Sequence, residues 1–400
     1  MQGGDDDSSY AKNSEAPASA ISLCRPLLLK AIQSMKVFFS NKDEAESLRI
    51  ADLGCATGYN TLATIDMVVD ALRQQYINHC GFEPEFEAFF SDLPSNDFNS
   101  LFRSLSNIAD KKTKQYYAAG VPGSFYTRLF PRGKLHVAVS LSALHWLSQI
   151  PDAVLEKTSA AWNKGRVWID GAKKEVVEAY AKQSEKDLED FLSCRKEEMV
   201  QGGMLFLLMG GRPASQQPEN QLGDPDSRAK HPFTTSLDQA WQDLINEVHY
   251  ITLQYISFLG FFIYGEGKER IICFVGDVMQ GLIDEETRDG FNIPAYMRSM
   301  AEVERAIKRC GGFEIERMEY SRIVEHSLEK QKQWMRDPIS YGRAKANLVR
   351  ATLGPIAEAH LGPYLSHQLF IRFQNRVSSD IALLHKTCYY GVIVVCAIRT

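Results

Sequence analysis

A hydrophobic strand that runs straight into a glycine turn constrains this chain more than any other stretch. Leu48-Arg-Ile-Ala-Asp-Leu-Gly54 leads into Cys-Ala-Thr-Gly58, and then Leu62, Ile65, Val69, Leu72 and Tyr76 recur at a 3-4-3-4 spacing. That spacing lines one face of a helix, so the segment reads as strand, turn, helix. Phe86–Phe90, ending at Ser91-Asp92, Leu135–Val139 and Met204–Met209 read as further buried strands, with helices over Glu175–Met199 and Leu237–Glu247. Strands alternating with amphipathic helices specify a parallel, doubly wound α/β sheet. An earlier helix is expected to open at Pro26 and to carry Leu28, Ala31, Ile32, Met35 and Phe38 on one face. The pattern then changes. Ala301–Cys310 reads as a helix closed by Gly311-Gly312, Phe313–Tyr320 and Tyr389–Ile398 as strands, and Leu348–His360 and Ser366–His385 as helices between them. Two late strands after a parallel set imply an antiparallel edge, with the intervening helices stacked as a cap.

Charge and cysteine usage exclude several classes of partner. The 400 residues carry 45 Lys or Arg against 50 Asp or Glu, a net charge of −5, and no basic run exceeds a dipeptide. Neither nucleic acid nor an anionic membrane is an expected partner. Eight scattered cysteines form no CxxC pair, which points to free thiols in a reducing compartment rather than a zinc site or disulfides. The opening MQGGDDDSSY is too acidic and polar for a signal or transit peptide. The longest apolar stretch, Ile251–Tyr264, is about 14 residues, short of the roughly 18–20 that span a bilayer. The expectation is a cytoplasmic protein.

The glycine turn bears the first chemical information. Glycines after a strand let backbone approach a ligand closely, and the helix start offers unpaired N–H groups. The turn is neither GxGxxG nor a GK[ST] phosphate loop. Asp52 inside it suits a cationic group better than a pyrophosphate, and Asp92 at the next strand end could accept both hydroxyls of a ribose. This combination fits S-adenosylmethionine (SAM). A nicotinamide dehydrogenase competes at this point, but the two acids are 40 residues apart where dinucleotide folds use about 20.

Longer strings then occur in order: Ser9-Tyr-Ala-Lys-Asn-Ser14, IADLGCATGYNT, SDLPSNDFNSLF, GVPGSFYTRLFP, LHWLSQIP, AWNKGRV and DGFNIPAY. Together they cover nearly the whole chain, and it resembles the plant SABATH methyltransferases, which methylate small carboxylic acids and some purine nitrogens. FEAFFSDLP, YYAAGVPGSFY and SAAWNKGRVWIDGA resemble the indole-3-acetate carboxyl methyltransferases most. The resemblance implies a Rossmann-like class I methyltransferase sheet under a helical cap, with SAM as cofactor, a small carboxylic acid as substrate and a homodimer as assembly. It implies three stretches: 1–236 as the N-terminal segment and SAM-binding core, 237–300 as part of the cap, and 301–400 as the remaining strands and cap helices. It places Tyr10 and Ser14 at the methionyl end of SAM, with Asp52, Gly54, Cys55 and Asn60 lining the cradle. Asp92 would take the ribose, Leu93 would pack beside the adenine, and Ser124 and Phe125 would flank it.

For the substrate, the resemblance implies that Trp146 donates its indole N–H to a carboxylate, with His145 lining the pocket, Ser142 leaving room in it and Trp241 closing it from above. Taken alone, a Trp after a strand is more often core. One departure is Pro17, where carboxylate-methylating relatives commonly carry a Gln; Pro has neither a side-chain donor nor an N–H. That loss brings a purine nitrogen, or a protein that binds SAM without turnover, into consideration. The resemblance also implies a hard-cation site, Mg²⁺ in chemistry, at Asn163, Asp289, the Phe291 carbonyl and Asn292, although an Asx-rich loop without metal reads equally well. No acid–base pair is required, because a carboxylate is already ionised at neutral pH.

Val248–Gln280 interrupts a helix that in relatives continues from the INE motif into GLIDEE. Its 33 residues, 99 nucleotides, begin with a GT-type codon residue and end with Gln, whose codons include CAG. The segment reads as a retained intron or gene-model artefact in preference to a genuine loop.

Overall fold

The computed structural model describes residues 9–39, 47–109, 116–213, 218, 220–221, 233–246, 283–380, 383–384 and 389–400. The segment Val248–Gln280 lies outside the described residues. The sheet has seven strands: β1 Leu48–Leu53, β2 Phe86–Asp92, β3 Tyr117–Pro122, β4 Leu135–Leu141, β5 Met199–Gly210, β6 Phe313–Val324 and β7 Tyr389–Arg399. Their order across it is β3-β2-β1-β4-β5-β7-β6. The first five are parallel, with Ile50 level with Ala88 on one side and Val137 on the other. β7 is antiparallel to both β5 and β6, the expected antiparallel edge.

Strand alternation divides the apolar residues between two faces. Ile50, Val137, Phe206 and Val394 face Leu28, Ile32, Leu62 and Val69, which lie on α1 (Glu15–Ser34) and α2 (Tyr59–Cys80). Ala51, Leu53, Ala138, Leu205 and Val395 face Leu188, Phe191, Val303 and Ile307, on α4 (Lys174–Glu198) and the helix Met300–Cys310. A third cluster, the cap, gathers Val154, Trp168, Tyr180, Trp241, Phe291, Tyr296, Tyr341 and Phe373. Its long helix, Pro338–Ser379, is broken by Gly362 at φ +77°, so the two helices expected there are two halves of one run.

Two expectations need correction. The first helix starts at Glu15 and passes through Pro26, ending at Ser34 before Met35 turns extended. Ala20, Cys24, Leu28 and Ile32 make an i, i+4 buried stripe, and Pro26 lies on the exposed side. Burial of that stripe outweighs one lost backbone hydrogen bond. Strand β3 and the helix α3 (Phe98–Ala109) were not anticipated. β3 is an edge strand with no fully buried residue, so it lacks the apolar alternation that marks a strand.

Among the described residues no helix is long and apolar enough to cross a membrane. The six described cysteines are all free.

Candidate active site

From β1 the chain builds outward to β2 and β3, and from β4 it builds the other way. Open α/β sheets bind ligands at the carboxyl ends of the strands beside such a switch. Asp52 and Gly54 stand at the end of β1, Asp92 ends β2, and Ser142–Trp146 follow β4.

Gly54 sits at φ +87°, and a Cβ there would fall 2.4 Å from the Ala143 Cβ and 3.3 Å from the Phe125 ring. Only glycine fits this approach of the turn to β4. The Gly54 and Cys55 N–H groups both donate to the Ser91 carbonyl, at 2.8 and 3.0 Å. Asp92 accepts from Ala56 N at 2.7 Å and from Leu93 N at 2.8 Å, fixing the two turns to each other. Asp52 accepts from the Thr61 hydroxyl at 2.5 Å, while its second oxygen is buried without a partner. Burial pushes the Asp52 carboxyl up to about 7, against the Thr61 hydrogen bond and with repulsion from Asp92. Tyr10 packs on Ala56 and Ala351, and burial together with both carboxylates raises its hydroxyl. Ser14 is buried, and its carbonyl accepts from Asn60 Nδ2 at 3.4 Å. Burial first, then Asp52 and Asp92, raises the Cys55 thiol, which contributes wall and no nucleophile. Leu93 is 53% exposed at the rim.

Phe125 stands edge-on to Tyr126 and Phe191, with centroids 4.7 and 5.9 Å away. Ser124 caps its own turn, accepting from Tyr126 N through its hydroxyl at 3.3 Å and from Thr127 N through its carbonyl at 3.0 Å. The loop is held from below by a pair that sequence reasoning missed. Arg195 and Glu198, both with wholly buried side chains, pair at 2.7 Å. Arg195 donates to the carbonyls of Phe125 (2.8 Å) and Thr127 (3.1 Å). Glu198 accepts from Leu129 N (2.6 Å) and Phe130 N (3.1 Å). In the run RKEE at the end of a helix, only the i, i+3 spacing hinted at it. Asn96 was missed as well: its Nδ2 donates to the Ala56 carbonyl at 3.0 Å, leaving a buried Oδ1 without a donor.

Unpaired buried oxygens on Asp52 and Asn96 and a raised carboxyl in a glycine cradle fit a ligand with ammonium and hydroxyl donors. SAM has both, and these residues are the ones that would hold it.

The other half of the site is a turn rather than a strand end. Ser142 takes the left-handed region at φ +62° and donates its N–H to the Leu208 carbonyl at 2.7 Å. Trp146 bridges to Ala295, Leu147 N donates to the Pro294 carbonyl at 2.7 Å, and Tyr296 N to the His145 carbonyl at 2.9 Å. The Tyr126 hydroxyl donates to the Trp146 carbonyl at 2.5 Å. His145 is tilted on Trp146, with centroids 5.5 Å apart, and its Nδ1 accepts from Gly210 N at 3.4 Å. Burial, then Arg298, lowers its pKa to about 4, so the imidazole is neutral. The Trp146 indole N–H is buried and has no acceptor. Trp241 also has an unpaired indole N–H, but its ring packs on Phe291 at 4.6 Å and His360 at 6.2 Å in the cap. Pro17 lies half-buried in the first turn of α1.

The four residues matched to a cation do come together, as a hydrogen-bond cluster. Asn163 Nδ2 donates to Asn292 Oδ1 at 2.7 Å, and the Tyr180 hydroxyl reaches the same oxygen at 3.4 Å. Asp289 Oδ1 is taken by Gly165 N and by the buried Arg288 guanidinium, both at 2.9 Å. Phe291 N donates to the Arg288 carbonyl at 3.0 Å. Donors engage Asn292 Oδ1 and Asp289 Oδ1, and through them the cluster ties the 163–168 loop to the 289–293 loop.

Comparison with known proteins matches this architecture. A family described as SAM dependent carboxyl methyltransferase covers residues 1–258 and 274–400, with its break inside the 248–280 segment. Gibberellic acid methyltransferase 2 of Arabidopsis thaliana is 57% identical over 100% of this chain and 94% of its own. Indole-3-acetate O-methyltransferase 1 of the same plant is 35% identical over 95% and 89%. The expected indole-3-acetate likeness is therefore present and is exceeded by the gibberellic acid one. The solved structure of loganic acid methyltransferase with SAH superposes at a TM-score of 0.79, with 29% identity over 100% and 98% of the two chains. The chain belongs to the SABATH family of SAM-dependent carboxyl methyltransferases.

Proposed function

We propose that this enzyme methylates the carboxylate of a gibberellin-type acid, bound with one carboxylate oxygen on the Trp146 indole N–H. The observation that carries the carboxylate's position is that buried donor without an acceptor at the carboxyl edge of β4. A buried unmet N–H costs about 1–3 kcal/mol, which an acceptor on the substrate returns. The size class rests on 57% identity to a gibberellic acid methyltransferase against 35% to an indole-3-acetate enzyme. When bound, SAM would supply a sulfonium methyl for a carboxylate oxygen, with the S–C electron pair staying on sulfur.

The protein's part is positioning. An ionised carboxylate needs no base, in keeping with His145 held neutral at its side. Trp146 donates and cannot accept, so it orients one oxygen without competing for the methyl. Ser142 and His145 line the same turn. Holding the second oxygen near the methyl in a site closed to water is the source of rate. Pro17 offers the acid no hydrogen bond.

The test is methyl transfer from labelled SAM to gibberellic, indole-3-acetic, salicylic, benzoic, cinnamic and jasmonic acids, with xanthines as controls. Gibberellic acid should give a labelled methyl ester with the highest kcat/KM. Preference for indole-3-acetic acid would overturn the size class. Label in the xanthines, or SAM binding with no turnover, would overturn the carboxylate reading.

A further inference from the structure

Arg298 is a charged side chain that neither the cradle nor the Trp146 donor explains. It is 1% exposed, among the largest fully buried side chains of the protein. One guanidinium nitrogen donates to the Leu144 carbonyl and another to the Ser184 carbonyl at 2.9 Å, while Nε is buried without an acceptor. Among the described residues no carboxylate lies within ion-pairing distance of it. Asp187, on α4, accepts from Ser148 N and Oγ and from Gln183, at 2.8, 2.6 and 2.8 Å. Glu302, four residues on, is engaged by Arg212, Tyr296 and Ser299. Arg298 also lines a cavity with Glu178, Lys182, Glu185, Glu302 and Arg305, and it faces the Tyr126 hydroxyl, which also holds the Trp146 carbonyl, and the neutral ring of His145.

Buried cations are normally paired in contact; without such a contact this one keeps a positive potential toward its neighbours that a low-dielectric interior screens poorly. This one is anchored to the carbonyl that precedes His145-Trp146. We infer that Arg298 is the specificity-determining charge of the acid site, acting through its field on the turn so that the substrate carboxylate is its counter-ion and neutral isosteres are rejected. The inference rests on the proposed position of the carboxylate at Trp146. The repulsion from Arg298 adds to the burial that keeps His145 neutral there.

The experiment compares wild type with R298M, R298K and W146F, using the panel acid that wild type turns over fastest and its carboxamide as a neutral competitor. R298M should raise the KM of the acid ten-fold or more, leave the KM of SAM unchanged and bring acid-over-amide discrimination towards one. R298K, which keeps the charge, should stay within about three-fold of wild type. An unchanged acid KM in R298M, or R298K as impaired as R298M, overturns the inference and leaves Arg298 a hydrogen-bonding strut. If R298M does not fold, R298K and R298Q, both able to donate to the Leu144 carbonyl, make the same comparison of charge. W146F separates the two readings. If it leaves the acid KM unchanged, the carboxylate position is what fails; if it raises that KM and R298M does not, Arg298 alone fails.

Discussion

Asp52 and Asp92 stand at the ends of two adjacent strands; Asp52 is fixed by Thr61 nine residues on, and Asp92 by Leu93 beside it and by Ala56, 36 residues back in the adjoining turn. Trp146 sits in a turn fixed by Tyr126, Pro294 and Ala295, the last two nearly 150 residues away. The charge is opposite as well. The cofactor side is a buried pair of carboxylates, and the acid side presents an indole donor and a neutral imidazole near a buried guanidinium. The two halves thus complement a cation and an anion. Methyl transfer from a sulfonium to a carboxylate removes both of those charges, so the acid half loses its electrostatic hold on the ester, while the ammonium that the cofactor half would hold is unchanged. Local construction serves the half whose ligand is shared by all SAM enzymes. Long-range construction serves the half that must fit one acid.

The sharpest way to break this contrast is to remove what the halves share, the loop 124–130 between them. Arg195→Met leaves Glu198 buried beside two backbone donors and without its cation. Breaking a buried pair costs about 3–5 kcal/mol, so a fall of that size in denaturant stability is expected, with SAH binding impaired. A change below 1 kcal/mol would show that the loop holds itself. Next in size, Asp92→Asn replaces one accepting oxygen with a donor facing Ala56 or Leu93. Loss of charge-assisted bonds of this kind is worth about 3 kcal/mol, so SAH should bind about 100-fold more weakly by calorimetry, with the fold intact. Trp146→Phe should touch only the other half, raising the KM of the acid about ten-fold and sparing that of SAM. Equal effects on both would mean that the halves are not separable.

What could be read in the sequence follows the same division. The β1 turn, Asp92 and the GSFY loop carry their chemistry within short strings, because glycine geometry and strand-end acids are local requirements. The antiparallel edge was legible from the late β-branched run Tyr389–Ile398, and β3 was not, because an exposed edge needs no apolar alternation. Pro26 misled because its cost as a helix breaker is local, whereas the buried stripe through Cys24 and Leu28 that overrides it is tertiary. Arg195, Glu198 and Arg298 were invisible for a related reason. Charged residues are usually solvated, and nothing within their own segments shows that Phe125, Leu129 or Leu144 will be folded over them. The Asn163–Asn292 cluster was legible as a gathering of oxygens, but the Gly165 N–H that takes Asp289 Oδ1 from 124 residues away was not.

The smallest effect belongs to pH and tests the cofactor half alone. Asp52 is held up to about 7 in the folded protein by burial, far above its ordinary value of 3.8. Folding therefore stabilises the protonated form: this group's contribution to stability is complete below pH 4 and is lost as the pH rises through 7. Asp92 is raised in the same direction by its burial. An ammonium donor at the free Asp52 oxygen requires the opposite, the ionised carboxylate. Binding of SAM or SAH to the apoprotein should then release a proton below pH 7, and affinity should improve about ten-fold between pH 5.5 and 7. The ligand's α-amino group stays largely protonated over this window, so the slope reports the protein. Asp52→Asn should flatten it, weaken binding at pH 7 and leave the apoprotein no less stable there. A slope that survives in Asp52→Asn would assign the titration to Asp92 and move the ammonium contact away from β1.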